Sequence, residues 1–252
     1  MHKRHQYRRM LGFTLIEIAF VIAIIGLLLG ALLTPLATQV RISKVKATDR
    51  ALAEVREALL GFAVTNGRLP CPDTGTDGVE DGGGGVACAA LSGSLAYASL
   101  GVEPLDSWGR RFTYRVTAEF ARSPLPGSTC ALADDRLGLC DTGDITINSR
   151  IVQTKAIQAY STASVAVVVS HGPNGLGGSD FAGNLLVVAA AGTDEAENTN
   201  ADATFVSRVS TPIVAACSET VAGTPLCEFD DRVTWIAPSL LFNRLVTAGI
   251  LP

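Results

Sequence analysis

Histidine is almost absent from this chain. His2 and His5 fall within the first five residues, which leaves His171 alone in the rest. A Ser-His-Asp or Cys-His mechanism would have to run through that one side chain. No Gly-x-Ser-x-Gly elbow occurs, and Gly175-Leu176-Gly177-Gly178 has neither the Lys-Ser/Thr of a phosphate loop nor dinucleotide-fingerprint spacing. No C-x-x-C pair is present, which argues against a zinc ribbon. Basic residues number 20 against 24 acidic ones, so the basic face of a general nucleic-acid binder is missing and no nucleic acid is expected. No internal repeat is evident. These absences point away from enzymes, with His171 read as a turn residue.

One further absence is local. From Phe13 to Leu33, 21 residues contain a single charge, Glu17. As a helix rising about 1.5 Å per residue the run spans about 32 Å, enough for a hydrocarbon core of about 30 Å. A carboxylate inside such a segment costs about 2.5–3.5 kcal/mol on insertion scales, and an anchor alone has no use for it. A secretory signal peptide fits poorly. Ala31 to Thr38 offers poor A-x-A spacing, and Glu17 would interrupt the apolar core. An uncleaved signal anchor leaves Glu17 without a purpose.

A basic leader ending in Gly12, then Phe13-Thr14-Leu15-Ile16-Glu17 and an apolar helix, resembles the processing site of type IV prepilins and type II secretion pseudopilins. The resemblance implies a membrane peptidase that cuts between Gly12 and Phe13 and N-methylates Phe13. It implies that Glu17 pairs with the N-terminal amine of a neighbouring subunit during filament assembly. The close likeness covers residues 1–34, and a looser one extends to about Asn66.

The expected organisation follows. Residues 1–12 are a leader, 13–34 the transmembrane half of a long helix, 35–66 its amphipathic half, and 67–252 a disulfide-bearing head. The leader carries Lys3, Arg4, Arg8 and Arg9, which favours a cytoplasmic N-terminus, although Arg41, Lys44, Lys46 and Arg50 nearly balance it. Without the leader, 16 basic residues face 24 acidic ones, near −8. Gly26, Gly30 and Pro35 are expected to weaken the helix locally. Val45, Leu52, Val55, Leu59 and Phe62 recur as one apolar face, and Asn66-Gly67 followed by Pro70 marks the stop.

All six cysteines (Cys71, Cys88, Cys130, Cys140, Cys217, Cys227) follow the apolar run. An even number there suggests disulfides in an oxidising compartment. Fifteen connectivities are open. The sequence-local one (71–88, 130–140, 217–227) is carried forward, each loop contributing about 3 kcal/mol.

Residues 70–90 form an acidic, glycine-rich loop. Asp73 and Asp77-Gly78 fit an EF-hand in part, but the end glutamate is missing, and a flexible surface loop is the plainer reading. Strands are expected over 111–116, 144–152, 164–170, 185–191, 204–209 and 232–236, with a terminal helix over 239–248. Two fragments are similar to the major pseudopilin: Asp106-Ser107-Trp108-Gly109, and Ser170-His171-Gly172-Pro173-Asn174-Gly175 with Asp230-Asp231 and Trp235 later. That likeness implies a structural calcium at Asn174, Asp230 and Asp231. An Asn-Gly turn beside two surface acids is the alternative. No other cofactor is required.

The expected fold is α+β and type IV pilin-like, a long N-terminal helix packed on an antiparallel sheet. The expected function is a structural subunit, minor or specialised, of a type IV pilus or related filament. Its expected partners are prepilin peptidase, other pilin or pseudopilin subunits and the inner membrane. The head would be periplasmic before the subunit enters a pilus or periplasmic filament. The alternatives are a type II secretion pseudopilin and a singly anchored periplasmic binding or adhesive protein that does not polymerise.

Overall fold

The computed structural model describes residues 12–121 and 137–251, apart from the side chains of residues 29 and 31–36. The chain divides into two compact units, Met1–Lys44 and Val45–Pro252. The boundary falls within the first helix, α1 (Leu15–Asn66, 52 residues).

In the first unit α1 begins with a reciprocal cap. The Glu17 amide donates to Thr14 Oγ1 at 3.3 Å, and Glu17 Oε2 accepts from the Thr14 amide at 3.0 Å. The Ile18 amide donates to the Thr14 carbonyl as the first helical bond. This is a capping box, Thr at the N-cap and Glu three residues on. The described large apolar side chains from Leu15 to Leu28 are exposed on every face, Leu15 at 90% and Ile18 at 45%. The helix continues through Gly26, Gly30 and Pro35, so the expected local weakening does not end it. The membrane expectation is not met in full. Among the described residues no helix is long and apolar enough to cross a membrane.

The second unit is built on the rest of α1. Leu52, Val55, Leu59, Leu60 and Ala63 are buried, at the three- and four-residue spacing of one helix face. Each fully buried leucine contributes about 1.5–3 kcal/mol. Gly67 ends the helix in the left-handed region (φ 68°), its amide donating to the Ala63 carbonyl at 2.8 Å. That conformation favours glycine.

Among the described residues seven strands and four short helices follow: β1 (Ser92–Ser94), α2 (Tyr97–Leu100), β2 (Thr113–Val116), α3 (Ala118–Ala121), β3 (Ile145–Arg150), β4 (Ile157–Ser164), β5 (Ala166–Ser170), α4 (Asp194–Glu197), β6 (Thr204–Val206), β7 (Arg232–Ile236) and α5 (Pro238–Thr247). One sheet has the order β1-β2-β5-β7, antiparallel throughout. A second, not expected, has the order β4-β3-β6 and is mixed, with β3 and β6 parallel.

Strand β5 explains the layering. Ala166 and Val168 belong to the core formed with α1, Leu241 and Leu245 of α5 and Phe120. Val167 and Val169 face Ile145, Ile147 and Phe205 of the second sheet. A strand covered on both faces reads as a continuous apolar run, which is what 166–169 is. Leu185–Ala191, expected as its neighbour, instead forms isolated bridges within the preceding loop (Ser179 with Leu185, Leu176 with Val187). All of its side chains except that of Ala189 stay exposed, and β7 takes the place beside β5.

Cys71–Cys88 and Cys217–Cys227 form disulfides. Cys140 is also disulfide-bonded, whereas the pairing expected of Cys130 lies outside the described residues.

Candidate functional site

Two places gather the singled-out residues. The first is the N-terminal segment. Gly12 and Phe13 precede the helix, Phe13 at 81% exposure. Among the described residues, a Cβ added at Gly12 would meet nothing within 4 Å. The fold itself therefore does not require glycine there. Glu17 lies one helical turn on, and both of its side-chain hydrogen bonds, to the Thr14 amide and hydroxyl, use Oε2. Sequence reading missed Thr14, although Thr-x-x-Glu before an apolar run is the signature. It also missed a face of small residues, Ala19, Ala23, Gly26 and Gly30, spaced four, three and four apart. Added Cβ atoms at Gly26 and Gly30 meet nothing within 4 Å.

The second place is in the head. The two fragments singled out in sequence meet: Asp106 Oδ2 accepts from Ser170 Oγ at 2.6 Å, and its Oδ1 accepts from the amides of Trp108 and Arg110. Arg110 donates to the Pro173 carbonyl at 2.9 Å. The turn is closed by the Gly175 amide on the His171 carbonyl. Gly172 (φ 51°) lies against Asp230, so a side chain there would collide with that backbone.

Asp230 and Asp231 do not stand on the surface. Together with Glu195 of α4 they are buried, and their carboxylates lie within 4.8 Å of one another. Glu195 was not foreseen. It accepts from Asn174 Nδ2 at 3.0 and 3.1 Å and from the Asp230 amide at 2.8 Å. Asn174 Oδ1 accepts from the Leu176 amide, so Asn174 orients Glu195. Burial, then the charge of Asp231, pushes the Glu195 carboxyl up to about 7. Asp231 Oδ2 is held by Asn198, while its Oδ1 faces His171 Nδ1 at 3.7 Å, and neither of those two atoms has a hydrogen-bond partner among the described residues. His171 Nε2 shares a hydrogen bond with Thr113 Oγ1 at 2.8 Å.

The neighbouring acids differ. Asp194 and Glu219 are matched by Arg150 and Arg208, with Arg208 Nε 2.6 Å from Asp194. Acids of the 70–90 loop are likewise matched, Glu80 by Arg68. Asp73 accepts from the Gly75 and Gly78 amides and pairs with buried Arg111 at 3.2 Å. Asp73 is therefore already neutralised by a guanidinium.

No curated protein and no solved structure matches the chain. Residues 7–33 match the family model of the prokaryotic N-terminal methylation motif, so the chain carries the signature of type IV prepilins and pseudopilins.

Proposed function

We propose that the chain is a structural subunit, minor or specialised, of a type IV pilus or a related filament. In this reading prepilin peptidase cuts between Gly12 and Phe13, and the new Phe13 amine is methylated. The subunit sits in the inner membrane with its N-terminus cytoplasmic and its head periplasmic, then passes into the filament. The observation that carries this reading is the methylation motif at 7–33. Open space around Gly12 supports it, because the demand for glycine then comes from outside the fold. The exposed apolar faces of α1 support it as well. A helix apolar all round needs lipid or other helices to cover it. Glu17 then meets the amine of the adjacent chain in a low-dielectric setting, where opposite charges attract strongly.

A type II secretion pseudopilin is the second reading. It is favoured by the contact between the 106–109 and 170–175 fragments and by the buried acids beside them. Those acids fit a structural cation. Glu195 and Asp231 have no Arg or Lys partner among the described residues, and a buried carboxylate cluster of this kind suits a hard cation such as calcium. Glu195, Asp230 and Asp231 would hold it, and it would tie α4, the 170–175 turn and the start of β7 together.

The test is the fraction of subunit in purified filaments against that in membranes. Recovery with filaments is expected for the parent and loss for Gly12→Val. A parent found only in membranes would contradict assembly and favour the anchored, non-polymerising protein.

A further inference from the structure

His171 is the one imidazole beyond the first five residues, and it is fully buried. Its Nε2 shares a hydrogen bond with Thr113 Oγ1 of β2 at 2.8 Å. Its Nδ1 stands 3.7 Å from Asp231 Oδ1, and among the described residues neither atom has a hydrogen-bond partner. Neither tautomer mends this. With the ring proton on Nε2, two lone pairs face each other. With the proton on Nδ1, 3.7 Å is too long for an N–H···O bond, which runs to about 3.2 Å. Buried polar atoms are seldom left in that state. A metal ion bound to both atoms satisfies both. With ligands at about 2.0–2.2 Å, one ion bridges atoms up to about 4 Å apart.

We propose that His171 Nδ1 and Asp231 Oδ1 share a transition-metal dication of the zinc class, with Glu195 and Asp230 supplying the other carboxylate oxygens. The inference rests on the cation reading of Glu195, Asp230 and Asp231 and changes the class of ion. Carboxylates alone suit calcium, whereas an imidazole nitrogen suits zinc and its first-row neighbours. Calcium then remains a weaker occupant. Both shared ligands are oriented from behind, as metal ligands are. Thr113 Oγ1 accepts from Nε2, which leaves Nδ1 as the bare donor, and Asn198 Nδ2 holds the other oxygen of Asp231 at 2.8 Å. Thr113 and His171 come from the paired strands β2 and β5, while Glu195 belongs to α4 and Asp231 precedes β7. The ion would therefore pin α4 and the start of β7 to the central sheet.

The experiment is a calorimetric titration of untagged full-length chain carrying His2→Ala and His5→Ala, so that His171 is the sole imidazole. Zinc should bind about tenfold or more tighter than calcium. His171→Gln should weaken zinc by about 10–100-fold, and Thr113→Val should weaken it in the same direction, with calcium affinity little changed in either. Electron spin-echo spectra of the chain loaded with manganese should show coupling to one nitrogen nucleus. That measurement leaves the head unsubstituted, so it decides the matter even if His171→Gln does not fold. Zinc no tighter than calcium, zinc affinity unchanged in His171→Gln, or manganese bound without nitrogen coupling overturns the proposal and leaves calcium to the carboxylates. Binding of neither zinc nor calcium overturns the cation reading itself, and this proposal with it.

Discussion

Glu17 and Thr14 close the start of α1 on each other: one carboxylate oxygen of Glu17 accepts both the amide and the hydroxyl of Thr14, at 3.0 and 2.9 Å. The lone subunit thus already uses the carboxylate that assembly is proposed to use. The two roles separate by substitution. Glu17→Gln keeps an acceptor for the cap and removes the charge, whereas Thr14→Ala keeps the charge and costs the helix start about 1 kcal/mol. Glu17→Gln should therefore lower filament recovery more than Thr14→Ala, with membrane content unchanged or higher. Equal recovery of Glu17→Gln and parent would assign Glu17 to the cap alone.

Gly26 and Gly30 are the next test. Among the described residues nothing lies within 4 Å of a Cβ added at either, and replacing a helical glycine removes a cost of about 0.8–1.0 kcal/mol. Gly26→Leu should leave subunit levels intact while lowering filament recovery, because small residues let apolar helices approach closely. Unchanged recovery would mean that this face is not packed in the assembly.

Asp73 and Arg111 should behave as a buried pair. Both side chains are almost wholly inaccessible, and removing one partner strands the other, at about 3–5 kcal/mol. Asp73→Asn is predicted to lower the thermal midpoint of the head by about 6–20 °C. A change near zero would contradict this account of the loop.

Glu195 gives a pH dependence of definite sign. Its carboxyl is raised from the usual 4.5 to about 7 in the fold. The folded state therefore holds the proton more tightly, and the stability this confers is complete below about 4.5 and lost as pH rises through about 7. In chelator the thermal midpoint should fall between pH 5 and 8. Calcium at pH 8 should raise it by several degrees, and Glu195→Gln should abolish both effects. No calcium response at pH 8 would remove the cation from the account.

Much of the second unit could be read in advance, and the failures have physical causes. The apolar face at 52, 55 and 59 and the Asn66-Gly67 stop defined α1, because a packed helix face repeats in its own sequence. The run at 166–169 read as a central strand for the same reason. Strand β4 was missed because Ser161 and Thr162 interrupt its alternation, and most of it is exposed, Tyr160 resting on Trp235 at 6.4 Å. Residues 185–191 look like a strand by composition but lie in an exposed loop. Glu195 was invisible because it lies 21 residues beyond Asn174 and is brought back only by the fold. Arg111 cancels Asp73 across 38 residues, a pairing that spacing alone does not reveal.

The central claim is processing at the methylation motif, and the mass of the N-terminal peptide of the membrane- or filament-derived chain tests it most directly. The account predicts a peptide beginning at Phe13 and carrying one methyl group on its amine. An intact leader through Gly12, or a start near Ala37, would contradict it.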